Sequence, residues 1–500
     1  MVNQGGNGAG VRVVRPEADH ERRLRNPGRG WCIYVDAFRA IVEEGNQDDS
    51  GFPQSQRYWQ QMDASGASEA ADIFYLRVPW SALEARQGRY AWDDDDNYAL
   101  LIEGARRRGL ALAFRVYVDS QDSYRQATPE FVRRRGALGR YGEGASKDLW
   151  SPYVDDPVFQ SALADFVAAL GRRYDDPGEV AFIDGQGLGW WGEMHHLALG
   201  PAVGRPQTTF DGVYRWITRT YLSHFQQVLV GIQYAGGTLA LSDWALEQGA
   251  VIRRDSLGSP RWFGEQDKAP LLAHWPKVPV FAENCYHHLR SRPSWWRGDG
   301  FASLRSVLER VWQDAKAVHA NTLDLRVPED AEQWMTLGSD LVKDFGLNSG
   351  YRWVLEEAAF PTRVAAGADE LWVEHQWANL GYGRFPGDRH GWEGRYALAF
   401  AMFAKENGTV AERVVALPEV PISQWIAGPS YRYRSRLPLS PATTGHSCYR
   451  LAVAMVNRNT GEPAVELAVR GLPRLGGWYL LGEISRDGQS GGKSAVDEDL

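Results

Sequence analysis

Cysteine is scarce in this chain. Three occur in 500 residues, Cys32, Cys285 and Cys448, far apart and without metal-ligand spacing, so they imply no disulfide framework and leave the redox compartment open. Long hydrophobic runs are missing too. No stretch approaches the roughly 20 apolar residues that span a bilayer, and the Gly- and Asn-rich start, Met1 to Gly10, lacks the apolar core of a signal peptide. Two locations remain, cytoplasmic or secreted or periplasmic with the leader removed, and the second is favoured. Basic character is thin as well. Lys and Arg number 55 against 63 Asp and Glu, a formal net charge of −8, and no basic block is long enough to follow a phosphate backbone, which argues against nucleic acid as a partner. The triplets Arg106–Arg108 and Arg133–Arg135 fall on expected helices and read as solvated faces.

Tryptophan is abundant, with 21 beside 21 tyrosines. Indole faces suit the apolar side of a sugar ring, although large β-rich cores also consume aromatics. The length favours two or three domains, one of them large.

From about Asn26 short apolar runs alternate with longer helical stretches, the pattern of βα units around a parallel sheet. Strands are predicted at Gly30 to Val35, Ile73 to Val78, Ala111 to Tyr117, Val180 to Gln186, Thr238 to Ser242, Ala250 to Arg253, Val278 to Ala282 and Thr322 to Leu325. Helices are predicted at Asn97 to Arg108, Asp156 to Tyr174, Tyr214 to Leu229 and Phe301 to Val318. Eight strands give an α/β chain with a (β/α)8 TIM barrel. After about Gly350 the rhythm turns to period two, with strands expected at Tyr351 to Glu356, Glu370 to Trp377, Arg395 to Phe403, Tyr449 to Asn457 and Trp478 to Glu483. The expected domains are an N-terminal extension (1–25), the barrel (26–348), an all-β sandwich (349–486) and a disordered tail (487–500).

The most informative segment runs from Val180 to His196. A buried strand breaks into glycines and then delivers Trp190, Trp191, Glu193, His195 and His196. Barrel enzymes take their catalytic groups from the C-terminal ends of different strands. The other strand ends supply Arg77 and Trp80, Arg115 and Tyr117, Gln186, Asp243 and Trp244, and Glu283 with Asn284, Tyr286 and His287. A glycosidase needs two carboxyl groups, one protonated to meet the leaving oxygen and one ionised to meet the anomeric carbon. Glu193, beside two indoles, suits the proton donor, and Glu283, within reach of Arg77 or Arg115, suits the nucleophile. A glutamate at a strand end is often a structural salt-bridge partner, but catalysis is the favoured reading for both. Arg77, Arg115, Tyr117 and Asp243 would orient the carboxylates or sugar hydroxyls, while Trp190, Trp191 and Tyr286 form walls.

Three segments carry a resemblance: Asn26-Pro27-Gly28-Arg29-Gly30-Trp31, Leu76 to Glu84 with Gly88-Arg89-Tyr90-Ala91-Trp92, and Trp191-Gly192-Glu193-Met194-His195-His196. Together with Tyr351 to Leu355 and Asn379-Leu380-Gly381 they resemble DUF4832-type bacterial proteins, which look like glycoside hydrolases built from a TIM barrel and a β-sandwich. More distantly, glutamates after strands four and seven are similar to those of retaining glycosidases of the large barrel clan. That clan carries Asn before the acid/base, whereas Gly192 stands here, so Gln186 or Asn284 would have to contact the sugar 2-hydroxyl. A Gly-Glu pair also resembles the β-amylase barrel, which inverts, and retention is only slightly favoured.

Other classes compete. His195-His196 and His287-His288 could converge on a metal with the glutamates, but their spacing is no known ligand signature, and neither metal nor cofactor is expected. A barrel that binds carbohydrate, or serves polysaccharide assembly, without catalysis is the main alternative. Asp93 to Asp96 reads as a helix cap rather than a calcium loop. Trp295-Trp296 reads as a sugar subsite or as loop packing, and Asn407-Gly408-Thr409 matches a glycosylation acceptor.

Overall fold

The computed structural model describes residues 10–36, 52–121, 125–201, 210–365, 367–406, 409–439 and 448–486. The expected tail at 487–500, and Asn407 and Gly408 of the glycosylation acceptor, lie outside them. The chain forms two compact units. One comprises Pro27–Tyr351 with Tyr382–Glu393, and the other combines residues before Pro27 with Arg352–Gly381 and the chain from Gly394 onward.

The first unit is a closed barrel of eight parallel strands in sequential order. They are β1 (Gly30–Asp36), β2 (Ile73–Pro79), β3 (Ala111–Tyr117), β4 (Val180–Asp184), β5 (Leu229–Gln233), β6 (Val251–Leu257), β7 (Val280–Asn284) and β8 (Ala320–Arg326). Closure is made by β8 against β1, with Thr322 opposite Gly30. Most strand residues are buried, yet their two faces differ, as the period of two requires. Ile33, Val35, Phe74, Leu76, Leu112, Phe114, Ile232, Leu323 and Leu325 face the surrounding helices and join one continuous apolar core. The alternate positions place charge and aromatic rings inside the barrel. Tyr34, Tyr75, Phe182 and Phe281 form a chain of ring contacts with centroids 4.4 to 5.7 Å apart. Above this floor Arg115 and Arg253 lie 6.0 and 5.6 Å from the Tyr75 ring, and Arg326 lies 5.3 Å from Tyr34.

The helices obey their caps. Asp156 accepts from the backbone of Val158 and Phe159 to start the helix Pro157–Tyr174, and Asp95 accepts from Tyr98 N to start Asp96–Arg107. Among the described residues no helix is long and apolar enough to cross a membrane.

One strand is misplaced by the sequence reading. Thr238 to Ser242 is not the fifth strand: Thr238 caps a helix, Leu239–Glu247, with its side chain accepting from Leu241 N. The true strand, Leu229–Gln233, lies where the expected helix Tyr214 to Leu229 was to end, because that helix stops at His224. Asp243 and Trp244 therefore leave the list of strand-end residues.

The second unit is mostly β. In the first of its two larger sheets the N-terminal strand Val11–Val14 pairs antiparallel with β9 (Trp353–Pro361), followed by β10 (Glu370–Asn379) and Ser430–Pro438. The other contains Tyr396–Glu406, Thr409–Ala416, Cys448–Asn457 and Trp478–Arg486. Leu371, Val373, His375 and Trp377 are the buried, alternate residues of β10, and His375 packs on Phe400 of the facing sheet at 5.2 Å. Thr409–Ala416 and Ser430–Pro438 are strands that the sequence reading did not identify.

Candidate active site

Glu193 is delivered by a turn in which two positions admit only glycine. After β4, Gly187 and Gly189 have φ of +69°. A Cβ there would come within 2.0 Å of the Val116 carbonyl oxygen and 2.2 Å of the His195 carbonyl oxygen respectively. Trp190 N donates to His195 O at 2.8 Å and Met194 N to Leu188 O at 2.8 Å, which closes the loop on itself. Gly192 adopts φ +71°, and a Cβ there would press on Tyr117 Cβ at 3.1 Å and Arg115 Cδ at 3.3 Å. The side chains of β3 thus account for glycine before this glutamate. Eight described non-glycine residues have positive φ, and seven of them (Trp191, Met194, His196, Ala235, Ser256, His288 and Arg326) stand at the C-terminal end of the barrel. Each costs of order 1–3 kcal/mol and persists only where its surroundings impose it.

Inside this mouth four arginines converge on two glutamates. Arg115 Nη1 donates to Glu193 Oε1 at 2.5 Å and Nη2 reaches Glu283 Oε2 at 3.3 Å. The same guanidinium binds Asp184 at 2.6 Å. Arg77 stands 4.0 Å from Glu193 and 3.7 Å from Glu283. Arg253 donates to Glu283 Oε2 and to the Tyr34 hydroxyl, and Arg326 Nη1 lies 2.7 Å from Glu283 Oε1. Asp36 faces Arg77 at 3.6 Å and Arg326 at 3.8 Å.

The two glutamates are both buried, yet their protonation is driven in opposite directions. Burial, reinforced by the Asp255 carboxylate, raises Glu193 to about 7 against the pull of Arg115 and Arg77. The contact with Arg115 is short, but that one positive charge is divided among Asp184, Glu193 and Glu283. Burial also opposes the charge on Glu283, but Arg253, Arg326, Arg115 and Arg77 together outweigh it and hold its pKa well below the usual carboxylate range. Asp324 is raised by burial to about 7.

The structure brings together some of the residues expected at the site and sets others apart. Arg77, Arg115, Glu193 and Glu283 form the centre. Trp191 lends its carbonyl to Arg77 and Arg115 at 3.2 and 3.4 Å, and the residue is 40% exposed. Trp190 meets it edge-on at 5.7 Å and lies 4.2 Å from the His196 ring. His195, half-buried, is lowered by desolvation. Tyr117 is buried beneath Gly192. Asn284 is buried and locked to Asp324, its backbone N donating at 2.7 Å and its Nδ2 at 2.5 Å. His287 meets the Trp295 ring edge-on at 4.6 Å, and Tyr286 donates to Asp299 at 2.7 Å. Trp296 is buried and Trp295 half-exposed.

Gln186 points away from this centre, accepting from Gln233 N at 3.1 Å. Trp80 is wholly buried among Phe131, Phe159 and Phe166 and donates to Glu84; it is a core residue because the chain turns outward after Pro79. Asp243, on its helix, binds Tyr234 and His274 at 2.9 Å, and Trp244 lies under Arg215 and Arg219. Among the described residues no group of His, Cys, Asp and Glu is arranged to hold a metal ion.

Sequence reasoning missed Asp36, Asp184, Arg253, Asp255, Asp324 and Arg326. Their signal is charge at alternate positions within a strand, as in Asp324-Leu325-Arg326 and Arg253-Arg254-Asp255.

The sequence matches no family model and no curated protein. Among solved structures the chain is similar to endo-glycoceramidase II from Rhodococcus sp., at 12% identity over 82% of this chain and 97% of that one, with a TM-score of 0.39. It is similar to the endoglucanase Cel5A of Pseudomonas stutzeri, at 10% identity over 67% and 98% of the two chains, TM-score 0.38. It is also similar to the exo-beta-1,4-mannosidase Op5Man5 of Opitutaceae bacterium strain TAV5, at 13% identity over 64% and 56%, TM-score 0.37.

Proposed function

We propose that this protein is a glycoside hydrolase acting on O-glycosidic bonds of an oligo- or polysaccharide, with Glu193 as general acid/base and Glu283 as nucleophile. One observation carries the reading: two buried carboxyl groups share the Arg115 guanidinium while their surroundings drive one toward the neutral form and the other toward the ionised form. In the first step Glu193 gives its proton to the leaving oxygen as the anomeric C–O bond breaks, and Glu283 bonds to the anomeric carbon. In the second, Glu193, now ionised, takes a proton from water, the water oxygen bonds to the anomeric carbon, and Glu283 leaves. The arginines that keep Glu283 ionised also make it a good leaving group. Two carboxyl groups on adjacent nitrogens of one guanidinium favour the shorter separation, about 5–5.5 Å, of retaining enzymes. The exposed Trp191 face supplies a stacking surface for a sugar ring. No cofactor is needed for this chemistry.

Digestion of a glycan panel, with product anomers followed by proton NMR, tests the reading directly. Glu193→Gln and Glu283→Gln are each expected to abolish hydrolysis while the protein stays folded by circular dichroism. Near-normal turnover in either removes that residue from the mechanism. The enclosure of Glu283 by four arginines favours a second reading, in which the carboxylates are a structural ion network beneath a carbohydrate-binding mouth. Glycan binding by wild-type protein without turnover on any substrate of the panel would establish that reading instead.

A further inference from the structure

We propose that Arg326 is a positioning residue for Glu283, fixing the orientation of its attacking carboxylate; the inference rests on the two-carboxylate reading above. Arg326 is the last residue of β8, and it adopts φ +61°, a left-handed conformation that a long L side chain rarely takes. The β8–β1 register shifts between Asp324 and Arg326, an irregularity of the kind that re-aims a side chain at a barrel rim. The unfavourable backbone is matched by a guanidinium held by one hydrogen bond, to the Asn284 carbonyl, and by ion pairs with Glu283, Asp324 and Asp36. Its Nη1 lies 2.7 Å from Glu283 Oε1, its Nη2 donates to the Asn284 carbonyl at 2.7 Å, and its Nε lies 3.2 Å from Asp324. The division of labour around Glu283 is unequal. Oε2 is held from the barrel floor by Arg253 and Arg115, which also bind Asp184. On Oε1 the closest cation is Arg326, since Arg77 stands off at 3.7 Å. Arg326 therefore sets the rotation of the carboxylate plane, and its grip on the neighbouring Asn284 carbonyl ties that rotation to the β7 backbone.

Arg326→Gly is the decisive variant, because glycine accepts φ +61° without strain and leaves a guanidinium-sized gap. On a glycan that the wild type cleaves, kcat is expected to fall about 100-fold with KM changed by less than about threefold, as for a group misplaced by about 1 Å. The acid limb of kcat/KM moves to higher pH, and millimolar guanidinium chloride restores at least about tenfold of the lost rate. Arg326→Lys, which keeps the charge but not the fork, falls between the two. A kcat within about threefold of wild type, or a loss with an unmoved acid limb and no rescue by guanidinium, overturns the proposal. Glu283→Gln on the same substrate separates the two readings. If it still turns over, the two-carboxylate mechanism falls and the positioning role with it; if it is inactive while Arg326→Gly is not, only the positioning role falls.

Discussion

Asp255 acts on Glu193 through space. It shares the mouth with Glu193 and His195, accepts from Gln233 Nε2 at 2.5 Å and from Ser256 at 2.8 Å, and is itself held ionised by Arg254. Its negative charge is the second cause, after burial, of the raised Glu193 pKa. In the proposed mechanism Glu193 must be protonated for the first step, so activity is expected to fall as pH rises through about 7. Asp255→Asn removes a charge that disfavours ionisation, so the basic limb of kcat/KM moves to lower pH. A pH–rate profile of the two proteins checks this; an unmoved basic limb would mean that burial alone sets the value. The residue scale was also where the sequence said least. Glu193 and Glu283 stand out beside Trp and His, but Asp36, Asp184 and Asp324 are single acids inside apolar runs, and their partners are defined only once eight strands close around them.

At the scale of the element, the helix Leu239–Glu247 shows how a strand-like stretch can mislead. Thr-Leu-Ala-Leu-Ser alternates as a strand would, and nothing in it marks Thr238 as a cap except the side-chain bond to Leu241 N. Thr238→Ala is expected to cost about 1 kcal/mol in urea unfolding and to leave kcat unchanged, because the residue heads a helix rather than ending a barrel strand. A large loss of kcat with unchanged stability would contradict that role. The seven other strands were legible because each is an apolar run bounded by turn residues and lies between recognisable helices. Leu229–Gln233 was not, because Gly231 interrupts a five-residue run and the preceding helix offers no obvious stop. In the second unit, Ser430–Pro438 escaped notice for a different reason: its alternate residues are Tyr and Arg, with little apolar contrast between its two faces.

For the whole molecule, the charged barrel interior couples stability to pH. Glu193 and Asp324 have folded-state values near 7, above those of ordinary carboxyl groups. The folded protein therefore holds protons that the unfolded chain releases, and the stability associated with these groups declines as pH rises from the carboxylate range toward 7. Glu283 has the opposite sign: its folded value is lowered, so its contribution is present above the unfolded value and is lost on acidification. Glu193→Gln carries no ionisable group at that position. The Tm of this variant minus that of wild type is expected to be more positive at pH 8 than at pH 5, as read by calorimetry; equal differences at the two pH values would show that Glu193 is not held neutral by its surroundings.

The way these charges are distributed over strands also bears on how the barrel is assembled. Asp36 comes from β1, Arg77 from β2, Arg115 from β3, Asp184 from β4, Arg253 from β6, Glu283 from β7 and Arg326 from β8. Apart from the Asp324–Arg326 pair within β8, these inward charges find their partners on other strands, and parallel strands are joined only by long crossovers. An open sheet that lacks β8 leaves Glu283 without its nearest Oε1 partner and Asp36 without Arg326, and buried charges missing a partner are strongly disfavoured. Closing β8 on β1 thus also brings in the last partner of Glu283 and of Asp36, so barrel closure and charge balance in the interior go together.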